Sequence, residues 1–269
     1  MRTLIRAFPL ALATAFLALF ALACTSGDGG AGDLVSAGPA AALGASAESF
    51  EAEVKSLQSD LTVAVNAGGF ELEANAAMAF QAPARMHMAM ELAGLGAFET
   101  VLLGTDLYVS MPGRGWVAFS LGDEALSEFG LDATTFDKLV SDHSMVDYQR
   151  LIDDLGGDVE DMVEETLDDG TFHHYRAALD FRDLAAAFSD AFGATSSLGL
   201  DSLKGPVTLD VWLHPDSKLP HRIDAEGVFP FGSERLTFNA TMRFFGYNEP
   251  VEIPGAPPDA VPYALLGGP

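Results

Sequence analysis

Cysteine is nearly absent from this chain. Cys24 is the only one in 269 residues, which excludes an intrachain disulfide and a cysteine zinc cluster. Basic residues are scarce too: 14 Lys and Arg stand against 39 Asp and Glu, for a formal charge of −25. Phosphate binding needs clustered cations, so nucleic acid is not expected as a partner. The acidity reads as a solvated outer surface. The chain holds no Gly-x-Ser-x-Gly, no His-Glu-x-x-His and no Gly-rich phosphate loop. The acidic run from Asp153 to Asp169 lacks the Asp-x-Asp-x-Asp-Gly order of a calcium loop. His173 and His174 are neighbours on one strand and point to opposite faces, so they make a poor metal pair. A non-enzymatic protein with no metal and no cofactor is the expectation. No repeat of solenoid or propeller period is present either.

Apolar residues make up 49% of the chain, enough for a sizeable core. Long uncharged runs are rare, and the one that stands out lies at the start. Arg2 and Arg6 precede an uncharged run from Ala7 to Ala23, so residues 1–23 read as a signal peptide. The run ends at Ala21-Leu22-Ala23-Cys24, which resembles the bacterial lipobox with the order of Ala21 and Leu22 exchanged. The expectation is a lipidated Cys24 and an extracytoplasmic protein anchored to a membrane of the cell envelope. Residues 24–47 follow, rich in Gly, Ala and Ser without a periodic apolar face, and read as a flexible tether. The folded domain is expected over residues 48–254, with a short helix from Ser49 to Lys55 and a Pro/Gly-rich tail over 255–269. From Pro250 on, the chain is expected to be extended and poorly packed.

Period two then dominates. Leu61, Val63 and Val65 alternate with Thr62, Ala64 and Asn66. Gly68-Gly69 is a hairpin signal. Phe70, Leu72, Ala74, Ala76, Met78 and Phe80 share one parity, with Glu71, Glu73 and Asn75 opposite. Met86, Met88, Met90 and Leu92 form the next apolar face, opposite Arg85, His87 and Glu91. Three methionines in succession are unusual, because methionine is flexible and suits irregular or changing apolar contents. Together with Gly68-Gly69 and the turn Gln81-Ala82-Pro83-Ala84, turn signals at Gly94, Gly104 and Pro112-Gly113 divide residues 60–121 into six strands. Helical spacing is predicted for Met145–Leu155 and for Phe181–Phe192. Strands are predicted at Val159–Leu167 and Thr171–Leu179, joined at Asp168-Asp169-Gly170. Three more follow, around Val207–Leu213, Arg222–Phe229 and Arg235–Phe244.

About eleven strands with one apolar face and few helices imply a wide antiparallel sheet, which should curl. The predicted fold class is α+β: a curved antiparallel sheet, or incomplete β-barrel, with short helices packed on its concave face. On that face Phe80, Met86, Met88, Met90, Phe238 and Met242 fall on the apolar parity. They are the candidates to line a ligand site, with plain core packing as the alternative. Trp116 and Trp212 lie on strands as core or edge anchors, with direct ligand contact as the alternative.

The segment from Gly205-Pro206-Val207 through Trp212-Leu213-His214-Pro215-Asp216, returning at Lys218-Leu219-Pro220-His221-Arg222-Ile223, resembles a strand, turn and return strand of LolA-like carriers, in particular LppX/LprG-type bacterial lipoproteins. Gly104-Thr105-Asp106-Leu107-Tyr108-Val109 and Tyr247-Asn248-Glu249-Pro250-Val251 fit the same relatives. The resemblance covers roughly residues 48–254. It implies an incomplete barrel closed on one side by helices, with an apolar cavity that in several members holds acyl chains or lipidated molecules. It supplies no catalytic residue. The function expected is a membrane-anchored lipoprotein that carries or sequesters a lipid or another hydrophobic ligand. The alternative is a non-catalytic envelope sensor or interaction module that uses the same fold to contact a protein partner.

Overall fold

The computed structural model describes residues 38–94, 96–113, 115–120, 159–181, 204–231 and 234–266. The expected signal peptide, Cys24, the helix expected at Met145–Leu155 and all of Phe181–Phe192 beyond Phe181 lie outside the described residues.

Six strands follow one another as a meander: β1 (Ser56–Ala67), β2 (Phe70–Gln81), β3 (Arg85–Leu92), β4 (Gly96–Leu103), β5 (Asp106–Met111) and β6 (Gly115–Ser120). A second meander comprises β7 (Val159–Leu167), β8 (Gly170–Asp180), β9 (Pro206–Leu213), β10 (Pro220–Phe231) and β11 (Glu234–Phe245). The turns are set locally. Ala67 pairs with Phe70, which leaves a two-residue loop at Gly68-Gly69 with φ of 55° and 81°. Two positive φ values match the twist of a tight hairpin, and glycine adopts them without strain.

The two meanders join at β1, which pairs with β2 on one side and with β11 on the other. With a two-residue strand β12 (Val261–Pro262) at one edge, the result is one unclosed sheet in the order β12-β6-β5-β4-β3-β2-β1-β11-β10-β9-β8-β7. It is a curved, incomplete barrel rather than two packed sheets. The free edge at β7 is blunted. A bulge falls between Asp161 and Glu164, where Val163 takes a φ of 64° and its N–H is bound by Asp161 Oδ1 at 2.8 Å. Exposed Glu160, Asp161 and Glu164 add charge there. Such features keep an edge from pairing with another chain.

Two expectations need correction. The folded domain does not begin at residue 48. An α-helix, α1, runs from Pro39 to Glu53, so residues 39–47 of the supposed tether are helical. Pro39 stands in the first turn, where its missing N–H costs nothing. Alanine, the best helix former, fills much of the rest. One face buries Ala42, Ser46, Ala47, Phe50 and, just past the end, Val54. Small side chains let the helix approach the sheet closely, yet they give no periodic signal in a hydropathy reading. The helix leads directly into β1 and also contacts β7, so it bridges the sheet from its middle to one edge.

The tail needs correction only at its end: from Pro250 to Ala260 it is extended with no buried residue, as expected. Asn248, in the left-handed region, accepts from Lys55 N–H at 2.7 Å and donates to the Glu53 carbonyl at 3.0 Å. Ser56 Oγ donates to the Glu249 carbonyl at 2.6 Å. The residues just before the tail thus clasp the junction of α1 and β1. The tail then crosses to the other edge of the sheet. There β12 (Val261–Pro262) pairs in parallel with β6, and Tyr263 stacks on Phe119 at 5.0 Å between centroids. This adds a twelfth, two-residue strand to the eleven expected.

Candidate functional site

Register decides which side chains meet. On one side of β1, Leu57 faces Phe80 and Phe80 faces Met86; Ser59 faces Met78 and Met78 faces Met88; Leu61 faces Ala76 and Ala76 faces Met90. On the other side, Leu61 faces Met242 and Met242 faces Ile223, while Val65 faces Phe238. All six candidate residues therefore share one face, the same face that receives Phe50 of α1 in a single continuous core. Met86, Met88, Met90 and Met242 are buried, while Phe80 and Phe238 are half-buried. Phe98 and Val109 are also half-buried on this face. No atom of a ligand is needed to define the surface: it is apolar from β6 to β8.

Two features depart from that pattern. Ser59 is buried among apolar neighbours, and Thr100 stands opposite Met88 on the same face. A sequence reading that starts β1 near Leu61 misses Ser59. Extending the same period by four residues, to Leu57, would have found it.

The opposite face carries the charges. His174, Arg176, Asp210, Trp212, Arg222 and Asp224 occupy adjacent outward positions on β8, β9 and β10. His174 Nε2 contacts Asp210 Oδ1 at 2.6 Å and its Nδ1 contacts Glu165 Oε2 at 2.9 Å. Its ring stacks on Trp212 at 4.5 Å, and the indole N–H donates to the same Glu165 oxygen at 2.9 Å. Arg176 grips Asp210 with two nitrogens, at 2.8 and 3.2 Å. Arg222 grips Asp224 likewise and lies over Trp212 at 5.0 Å. Trp212 is thus an anchor of the outer face and not part of the concave surface. His173 and His174 do face opposite ways. His174 is nevertheless buried and bound on both sides, which the sequence alone did not disclose. Among the described residues no group of three His, Cys, Asp or Glu side chains could hold a metal ion.

At one end of the sheet lies an aromatic cluster. His221 stacks on buried Phe172 at 3.9 Å, His214 meets Phe172 edge-on at 5.1 Å, and Tyr247 donates to the Pro220 carbonyl at 2.5 Å. Burial lowers the pKa of His214, helped by the neighbouring His221. Burial also lowers that of His221, against the pull of Asp169, whose carboxylate is 3.1 Å away. The unfolded chain therefore binds more protons below about pH 6.5. The stability held by these two groups is fully present above that pH and is lost as pH falls towards their folded-state values. Thermal midpoints should fall between about pH 7.5 and 5.5, and a His214→Gln/His221→Gln variant should show a flatter profile. A wild-type midpoint that rises on acidification through this window would contradict the assignment.

No family model matches this chain, and no curated protein matches it. Among solved structures it is similar to LprF from Mycobacterium bovis, at 14% identity and TM-score 0.42 over 75% of this chain and 89% of that one. It is similar to the lipoprotein LppX of Mycobacterium tuberculosis, at 13% identity and TM-score 0.42 over 80% of this chain and 97% of that one. A LolA superfamily protein from Nitrosomonas europaea aligns at 11% identity and TM-score 0.28, covering 74% of this chain and 88% of that one. Identity at this level transfers no residue role.

Proposed function

We propose that this chain is an envelope lipoprotein, held at a membrane by acylated Cys24, that binds a lipid or another hydrophobic ligand on the concave face of its half-barrel. Carriage or sequestration of that ligand is its role. The observation that carries this reading is the breadth of the apolar face relative to α1. Twelve strands at about 4.8 Å spacing span roughly 53 Å of arc. A helix of 15 residues is about 22 Å long and 10–12 Å wide. Among the described residues it bridges β1 to β7, and the methionine strand β3, whose Met86, Met88 and Met90 are buried, lies on the other side of β1.

Methionine supports the same reading. Val or Phe would specify a fixed core, whereas Met86, Met88 and Met90 can repack around contents that come and go. Phe80, Phe98 and Phe238, only half-buried on this face, offer apolar surface next to them. In this reading Phe80, Met86, Met88, Met90, Phe238 and Met242 line the ligand.

Native mass spectrometry after gentle purification is expected to find lipid bound at unit stoichiometry. A stoichiometric protein partner and no lipid would instead identify an envelope interaction module. Met88→Trp supplies the second test. An indole placed in ligand space should abolish binding of a fluorescent acyl-chain probe and change stability by less than about 1 kcal/mol. In a filled core the added volume would cost about 1–3 kcal/mol. That loss, together with a wild type that binds no probe, would end the carrier reading.

A further inference from the structure

The outer face carries a cleft that the half-barrel does not use. Past Asn248 the chain runs by the start of β3, and between the two lies an open cleft of about 530 Å³. Arg85, His87, Val251, Glu252, Ile253 and Pro254 line it. The volume falls within the usual range of small-molecule sites, about 300–1,000 Å³. Arg85 and His87 have the outward parity of β3, opposite to that of buried Met86 and Met88. The cleft is therefore separate from the concave face.

Its charges are left uncommitted. His87 is engaged, its Nε2 contacting Glu99 Oε1 at 2.8 Å. Arg85 is held only by neutral oxygens, Gln81 Oε1 and the Ile253 carbonyl, each at 3.4 Å. Among the described residues it pairs with no carboxylate. Arg176 and Arg222, on β8 and β10, are each gripped by an aspartate. Glu252 is exposed and, among the described residues, has neither an ion pair nor a side-chain hydrogen bond. Opposite charges thus line one cleft without pairing to each other. In a chain with 39 acidic residues, the Arg85 fork is oriented by neutral contacts, and most of its five N–H donors stay free.

This arrangement selects a ligand class. A lone anion gains Arg85 and meets Glu252, whereas a lone cation gains Glu252 and meets Arg85. A molecule that carries both charges satisfies both walls. Half-buried Val251 and Ile253, with Pro254, add an apolar surface that fits an aliphatic group. We propose that the cleft is a binding site for a zwitterionic, aliphatic α-amino acid. Its carboxylate accepts from Arg85, its ammonium donates to Glu252, and its side chain lies against Val251 and Ile253. The assignment does not rest on the concave face and stands or falls apart from it.

The test is a ligand-observed NMR titration of the full chain at pH 7.0 with three probes of one skeleton. They are leucine, 4-methylpentanoate, which lacks the ammonium, and 3-methylbutylamine, which lacks the carboxylate. Leucine should bind roughly 3- to 10-fold more tightly than either analogue, the worth of one hydrogen bond between exposed groups. Arg85→Gln should weaken leucine and the acid by that factor and leave the amine no weaker. Glu252→Gln should weaken leucine and the amine and leave the acid no weaker. Arg85→Lys keeps the charge without the planar fork and should fall between. Added salt should weaken leucine binding to wild type. Both side chains are exposed, so all three variants should melt with wild type. A wild type with no saturable leucine binding would overturn the site. Leucine held no more tightly than its analogues would overturn the zwitterion. Leucine binding untouched by both Gln variants would place it elsewhere and overturn the assignment. Equal loss of all three probes, or a lowered melting temperature, would mark the substituted residue as structural and overturn it too.

Discussion

A Cys24→Ala variant, once its leader is cleaved, should move from the membrane to the soluble fraction while its folded domain keeps the wild-type melting temperature. The expected effect is close to all or none. Each buried methylene of an acyl chain contributes about 0.8 kcal/mol, and two chains convert marginal, reversible binding into stable anchoring. The change removes that energy without touching the sheet, since Cys24 precedes α1 by 15 positions. Fractionation after ultracentrifugation, with the cleaved mass confirmed, is the measurement. A cleaved variant that stays with the membrane would mean that something other than Cys24 holds it there.

The largest stability loss is expected from Phe50→Ala. Phe50 is 2% exposed and packs edge-on against Tyr247 at 6.1 Å. The other buried positions of α1 are Ala42, Ser46 and Ala47, which bring little apolar area. Phe50 is thus the largest side chain that fixes the helix to the sheet, with half-buried Leu43 beside it. Truncating a buried Phe typically costs about 3–5 kcal/mol, the transfer energy plus the cavity left behind. Tyr247 loses one of its ring partners at the same time, His214 remaining at 6.4 Å, so the segment that begins there should loosen as well. Urea unfolding should show a midpoint lowered in proportion, and amide exchange should rise first in α1 and in the residues around Asn248. Phe50→Leu should cost far less, because most of the volume stays. A midpoint within about 1 kcal/mol of wild type would mean that the helix is held by other contacts.

Much of this molecule follows from period alone. The alternation from Leu61 to Phe80, from Met86 to Leu92, and from Val207 to Phe244 sets the strands, their order within each meander and the face each side chain takes. A strand has only two faces, so once the first apolar residue is placed the rest follow. That is why all six candidate ligand-lining residues share a face. It is also why His173 and His174 part company: successive strand residues cannot point the same way.

What period does not determine is which distant segments meet. The helix Pro39–Glu53 is written in alanine, glycine and serine, a composition that also suits a linker. It becomes a helix against the sheet because small residues allow close approach and Phe50 finds the core. The tail carries no alternation at all. It is ordered because Asn248 caps the end of α1 and Tyr263 reaches Phe119. Ser59 is an ordinary serine in the chain, and only the pairing of β1 with β2 and β11 surrounds its hydroxyl with apolar neighbours and leaves it without a partner. His174 gains two carboxylates from strands on either side of its own. Alternation is a property of neighbours in sequence, whereas burial, capping and ion pairing are properties of neighbours in space. The sequence therefore determined the strands and the apolar face. Tertiary structure decided where the helix docks, where the tail ends and which polar atom is left facing the concave side, because those outcomes depend on contacts between residues as far apart as Glu53 and Asn248.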